Sequence, residues 1–181
     1  MSSTLIIGGA RSGKSTYAQE TARKSGKTVL FVATAEAGDE DMRIRIEAHR
    51  NSRPAEWNTL EATTQIGRQI RENIGKAELV IIDCVTLLVN NIFMRYDDTT
   101  DADEADKEVM SEIEELIDCM DVTEADFIIV TNETGLGIVP ADRVSRMYRD
   151  ALGRANQRIA QHADEVYLLT AGIPLTIKGN R

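Results

Sequence analysis

Gly8, Gly9, Ala10, Arg11, Ser12, Gly13, Lys14 and Ser15 fill the pattern G-x-x-x-x-G-K-[ST] in full. Glycines at these places let the backbone close around phosphate oxygens with successive N–H groups directed inward. A helix that begins at the lysine adds the positive end of its dipole. Lys14 is expected to reach the β- and γ-phosphates, and the Ser15 hydroxyl to ligate Mg²⁺. Such a site needs a carboxylate at the end of a neighbouring strand. Asp83, closing Leu-Val-Ile-Ile-Asp, meets that need. It is also a good helix N-cap, and the two roles are compatible. Together these residues imply a bound nucleoside triphosphate and leave the reaction open.

Two histidines are present. His49 falls near the end of Asp41–Arg50, a run in which Met42, Ile46 and His49 recur at helical spacing and share one face. That pattern admits a packed or capping histidine. It also admits a nucleophile, because a neutral imidazole can attack phosphorus and form a phosphoramidate that divides one transfer into two. Arg45, Arg50 and Arg53 flank it, costly in a core and useful around a phosphate. His162 ends an arginine-rich stretch and reads as a surface residue. The arginines of that stretch, Arg143, Arg146, Arg149, Arg154 and Arg158, are either a solvated face paired with Asp142 and Asp150 or a set of phosphate clamps. The acidic run Asp97–Glu108 reads as a solvated loop and helix start, without chemistry.

The elements that position these groups alternate. Strands are expected at Thr4–Gly8, Thr28–Thr34, Leu79–Asp83, Asp126–Thr131, Glu165–Thr170 and Leu175–Lys178, with a brief one at Trp57–Leu60. Helices are expected at about Lys14–Lys24, Asp39–Ser52, Gln65–Asn73, from within the acidic run to about Met120, and at Asp142–Ala163. Val85–Met94 is an apolar segment. The Arg53-Pro54 pair stops the second helix. The pattern predicts an α/β fold of the P-loop NTPase kind, a mostly parallel sheet with helices on both faces. With 181 residues and no linker, one domain over 1–181 is expected.

Bulk properties narrow the function classes. The net charge of −9 and an aromatic content of 4% speak against a nucleic-acid surface, which needs excess Lys and Arg or stacking platforms. No apolar run reaches membrane-spanning length. Cys84 and Cys119 have no metal or redox spacing, and the start Met-Ser-Ser-Thr-Leu lacks a signal-peptide pattern, so a cytoplasmic protein is expected.

Beyond the phosphate loop an ordered series of segments carries further information: Ala33-Thr34, Asp41-Met42, Arg45-Ile46, His49-Arg50, Arg53-Pro54 and Trp57, then Asp83-Cys84 with Thr86 and Asn90-Asn91. Thr131-Asn132-Glu133, Gly137-Ile138-Val139-Pro140, Arg149-Asp150, Ala163–Tyr167 and Gly172-Ile173-Pro174 follow. Over nearly the whole chain this series resembles the bifunctional adenosylcobinamide kinase/adenosylcobinamide-phosphate guanylyltransferases of cobalamin assembly. The resemblance implies two reactions: phosphorylation of the aminopropanol hydroxyl of adenosylcobinamide by GTP or ATP, then transfer of GMP from GTP to that phosphate. It implies His49 as the residue that carries the guanylyl group. It implies Ala33, Thr34, Arg50, Arg53 and Glu61 around the guanine nucleotide, and a homotrimer with the site near a subunit boundary. One departure is visible: many members carry a Trp after the Asp-Cys-x-Thr segment, where this chain has Leu87-Leu88. A plain small-molecule kinase is the competing reading. A GTPase switch fits poorly, because that class reads guanine with Asn-Lys-x-Asp, whereas Asn132-Glu133-Thr134-Gly135 stands here.

Overall fold

The computed structural model describes residues 1–36, 40–51, 53–97, 99 and 101–179. The elements run β1 (Ser3–Gly8), α1 (Lys14–Ser25), β2 (Val29–Ala33), α2 (Glu40–Asn51), β3 (Asn58–Glu61), α3 (Ile66–Asn73) and β4 (Leu79–Asp83). They continue with α4 (Val85–Phe93), α5 (Ala102–Val122), β5 (Asp126–Asn132), α6 (Arg143–His162), β6 (Glu165–Thr170) and β7 (Ile173–Lys178). The strands form one sheet in the order β3-β2-β4-β5-β1-β6-β7. All neighbours pair parallel except β6 and β7, an antiparallel hairpin.

Side chains along the central strands alternate between two cores, as a period of two requires. Leu30, Val32, Val80, Ile82, Phe127 and Ile129 point to one face, where they join apolar residues of α3, α4, α5 and α6. Phe31, Ala33, Leu79, Ile81, Ile128 and Val130 point to the other, where Ala18 and Ala22 of α1 cover them. Both faces are therefore dry, which explains why these strands read as continuous apolar runs. The expected α/β architecture is the one observed.

Two elements differ from the sequence reading. The apolar segment after Asp83 is a helix, α4, buried at Val85, Thr86, Leu88, Val89, Ile92 and Phe93. It is wedged between the sheet and α6, so no polar stripe marks its period. The last strand starts at Ile173 rather than Leu175. Pro174 is tolerated there because β7 is an edge strand. Two arginines of the α6 stretch are absorbed by ion pairs to α5: Arg154 to Asp106 at 2.6 Å, and Arg158 in a forked pair to both Glu114 oxygens at 2.6 and 2.7 Å. His162 is partly buried beside Asp121, 3.2 Å away. The partners of Arg154 and Arg158 are therefore α5 carboxylates rather than the expected Asp142 and Asp150, and Arg149 is the one that pairs with Asp150, at 3.3 Å.

Candidate active site

The phosphate loop follows β1 and Asp83 ends β4, both at the carboxyl ends of parallel strands, where ligands of open α/β sheets bind. β1 delivers Gly8, the loop turns through Arg11 at φ 58° and Gly13 at φ 94°, and α1 begins at Lys14. Two glycines are required by space. A Cβ on Gly8 would stand 2.4 Å from the Leu169 carbonyl oxygen, and one on Gly13 would be 3.1 Å from Gly172 Cα. The Gly172 N–H donates to the Ser12 carbonyl at 2.9 Å, so the β6–β7 turn backs the loop.

Lys14 is buried, its Nζ donating to the Gly9 carbonyl at 2.6 Å across the loop. Burial pushes its pKa down, opposed by the nearby Cys84 and Asp83. Burial likewise pushes the Cys84 thiol up to about 11, reinforced by Asp83.

Lys14, Ser15, Asp83 and Arg53 border one cavity of about 580 Å³. Ala10, Arg11, Ser12, Gly13 and Ala33 line it as well. Of the remaining expected residues, Gly8 and Gly9 shape the loop without lining the cavity. Arg50 pairs with Glu61 at 2.5 Å, both exposed and outside the lining. Thr34 is fully buried, and its hydroxyl clasps the start of α4, accepting from Cys84 N–H at 2.8 Å and donating to Cys84 C=O at 2.7 Å. His49 belongs to α2, whose backbone is helical there, but its side chain lies outside the described residues, as do those of Met42 and Arg45.

Arg53 stands out chemically. Its guanidinium carbon lies 3.9 Å from the centre of the Phe31 ring, which stacks in turn on Trp57. Burial pushes its pKa down and Asp83 pulls it back. Its Nε is buried and, among the described residues, donates to no acceptor. A buried charged donor of this kind costs free energy unless something accepts from it, and it borders the cavity.

The structure adds residues not assigned from spacing. Asn132 ends β5 as Asp83 ends β4, and its N–H donates to the Thr86 hydroxyl at 2.8 Å. Both residues line the cavity, together with Ile46, Cys84 and Leu87. The available signal was positional: each follows or ends an apolar strand run, on the side where the phosphate loop sits.

Ser15 and Asp83 offer a hydroxyl and a carboxylate to one space. That hard-oxygen pair suits Mg²⁺, which keeps waters and substrate phosphates for its other positions. A strand–loop–helix phosphate cradle on a mostly parallel sheet, with a basic clamp and a strand-end carboxylate, defines a P-loop nucleotide-binding protein. The fold also matches that of a RadB recombinase, with a TM-score of 0.52 at 14% identity over 92% of this chain and 73% of that one. Residues 4–177 match the model of the cobinamide kinase / cobinamide phosphate guanyltransferase family, and the chain belongs to that family. It is 41% identical over 179 residues to the bifunctional adenosylcobalamin biosynthesis protein CobU of Escherichia coli, covering 96% of this chain and 98% of that protein. It is 40% identical over 175 residues to the corresponding CobP of Pseudomonas aeruginosa, covering 97% and 96% respectively.

Proposed function

We propose that this chain carries out both reactions of its family at the one cavity, phosphorylating adenosylcobinamide and then guanylylating the product through His49. The observation that carries the reading is the convergence of Lys14, Ser15, Asp83 and Arg53 on a single cavity. In the first reaction the alcohol oxygen attacks the γ-phosphorus of GTP or ATP, the bond to the β-phosphate oxygen breaks, and the alcohol releases its proton. Lys14 and the loop N–H groups stabilise the charge that gathers on the phosphate oxygens. Ser15 and Asp83 would hold Mg²⁺, which would supply neutralising charge to the phosphates.

In the second reaction a neutral His49 nitrogen attacks the α-phosphorus of GTP and pyrophosphate leaves. The cobinamide phosphate oxygen then attacks the resulting phosphoramidate, the P–N bond breaks, and the imidazole is restored. Position 49 follows Ile46 by three residues, a spacing that shares a helix face, and Ile46 borders the cavity. Arg53 supplies the guanine nucleotide with a donor left unmatched among the described residues, and Ala33 lines the same cavity. Thr34, Arg50 and Glu61 lie outside that lining and are assigned to the nucleotide by the family resemblance alone.

Radiolabelled GTP tests the second reaction. The expected result is an acid-labile, alkali-stable label on the wild type that vanishes in His49→Ala. An unlabelled wild type that still phosphorylates cobinamide would make this a plain kinase.

The chain works in the cytoplasm, where GTP and ATP are available, and among the described residues no helix is long and apolar enough to cross a membrane. It assembles as a homotrimer. Support for assembly comes from β7, an open sheet edge on which Ile173, Leu175 and Ile177 are all exposed at alternate positions.

A further inference from the structure

The cavity has the dimensions of a nucleotide site, and a corrin macrocycle with its amide arms is larger than a nucleoside triphosphate. If both reactants meet there, the macrocycle must rest outside and pass only its alcohol arm inward. The question is which surface receives it.

Between β5 and α6 the segment from Thr134 to Ala141 contains no charged residue. Leu136 is 87% exposed, Ile138 95% and Val139 60%. Single exposed aliphatic residues are ordinary, but three within four positions beside a reaction cavity mark a contact surface. The segment is anchored at both ends. Glu133 N–H donates to the Gly8 carbonyl at 3.1 Å, joining its start to the phosphate loop. The Glu133 carboxylate turns back to accept from Gly135 N–H at 2.5 Å, which keeps that charge engaged at the base of the loop. At the far end Arg146 donates to the carbonyls of Pro140 and Ala141 at 3.0 and 2.5 Å, and Asp142 caps α6. The chain is thus fixed where it meets the site and presents its apolar side chains outward.

We propose that this loop is the platform on which the corrin macrocycle docks, with Leu136, Ile138 and Val139 as its contacts. The inference rests on the reading that cobinamide is the acceptor. Continuity with the reaction cavity favours this occupant. Asn132, immediately before the loop, lines the cavity, as does Leu87, whose neighbour Thr86 holds Asn132. An uncharged aliphatic surface also suits a macrocycle edged with methyl and amide groups, while the phosphates are served by the cationic side of the cavity. A second copy of this chain has a more regular apolar seat on β7.

The test is equilibrium dialysis of cobinamide, followed by corrin absorbance, against the wild type and a Leu136→Ser/Ile138→Ser variant. Both side chains are exposed, so thermal unfolding serves as the control for an intact fold. The expected result is a dissociation constant for cobinamide raised about tenfold or more, with GTP affinity and molar mass unchanged. Cobinamide affinity equal to wild type would overturn the proposal. A reduced molar mass would assign the loop to a subunit contact and overturn it equally. A wild type that binds no cobinamide would instead remove the acceptor reading itself, and this proposal with it.

Discussion

Lys14 carries a positive charge in a place that penalises it. Its ammonium is buried and leans on the Gly9 carbonyl; burial lowers its pKa, with Cys84 and Asp83 acting against that. Lys14→Met keeps the aliphatic stem and removes the charge. It is expected to lower kcat for cobinamide phosphorylation about 10²–10³-fold while leaving the urea midpoint unchanged or higher, since a desolvated cation is lost. Steady-state kinetics and urea unfolding on one preparation check both halves. The phosphate loop was legible because its pattern is contiguous, and Asp83 because it closes an apolar run. Thr86 and Asn132 were harder to assign, because their proximity depends on strand order. Their hydrogen bond spans 46 residues of sequence.

Helix α3 is held by a residue far from it in sequence. Its N-terminal flank, Gln65, sits at φ 50° and offers no side-chain cap. The Glu112 carboxylate of α5 accepts from the N–H groups of Gln65 and Ile66, each at 2.8 Å. Charge-assisted bonds of this kind are the stronger ones; burial still pushes the Glu112 pKa up, and these two bonds act against it. Glu112→Ala is expected to destabilise the fold by about 2–3 kcal/mol, and Glu112→Gln, which retains one acceptor oxygen, by less. Urea unfolding of the pair measures the difference. The helical period announced α3, but nothing local could reveal a cap supplied from another helix. The same limit concealed α4, whose apolar residues occupy nearly every side because sheet and helices surround it.

Across the whole sheet, the amino-terminal strand is laced in at the end opposite the site. Ser2 N–H donates to Asp126 at 2.8 Å, Ser3 N–H and Oγ donate to Asp164 at 2.8 and 2.9 Å, and Lys27 pairs with Asp126. The bonds from Ser3 hold the Asp164 carboxyl below its ordinary range; at Asp126 burial acts upward but Lys27 and Ser2 outweigh it. A depressed carboxyl pKa stabilises the fold above the unfolded value and loses that contribution as pH falls through the folded one. Asp164→Asn is therefore expected to cost about 1 kcal/mol at neutral pH, discounted for exposure. The gap from wild type should close as pH drops below about 4. Chemical denaturation at several pH values would show this convergence. On the edge strand β7, Leu175→Glu tests the proposed trimer: light scattering is expected to give a trimeric mass for the wild type and a monomeric one for the variant. An unchanged mass would overturn the assignment of a subunit contact to β7.

The turn that joins β6 to β7 passes through Ala171 at φ 53° and Gly172 at φ 80°, and it holds the Ser12 carbonyl from behind. A trans peptide keeps its C=O and N–H on opposite sides. Fixing the Ser12 oxygen toward the hairpin thus turns the Gly13 N–H the other way, on the loop that lines the cavity. The orientation of one donor at the centre of the site is in this way set from the rim of the sheet. Whatever leans on that rim has a mechanical route to the phosphate loop.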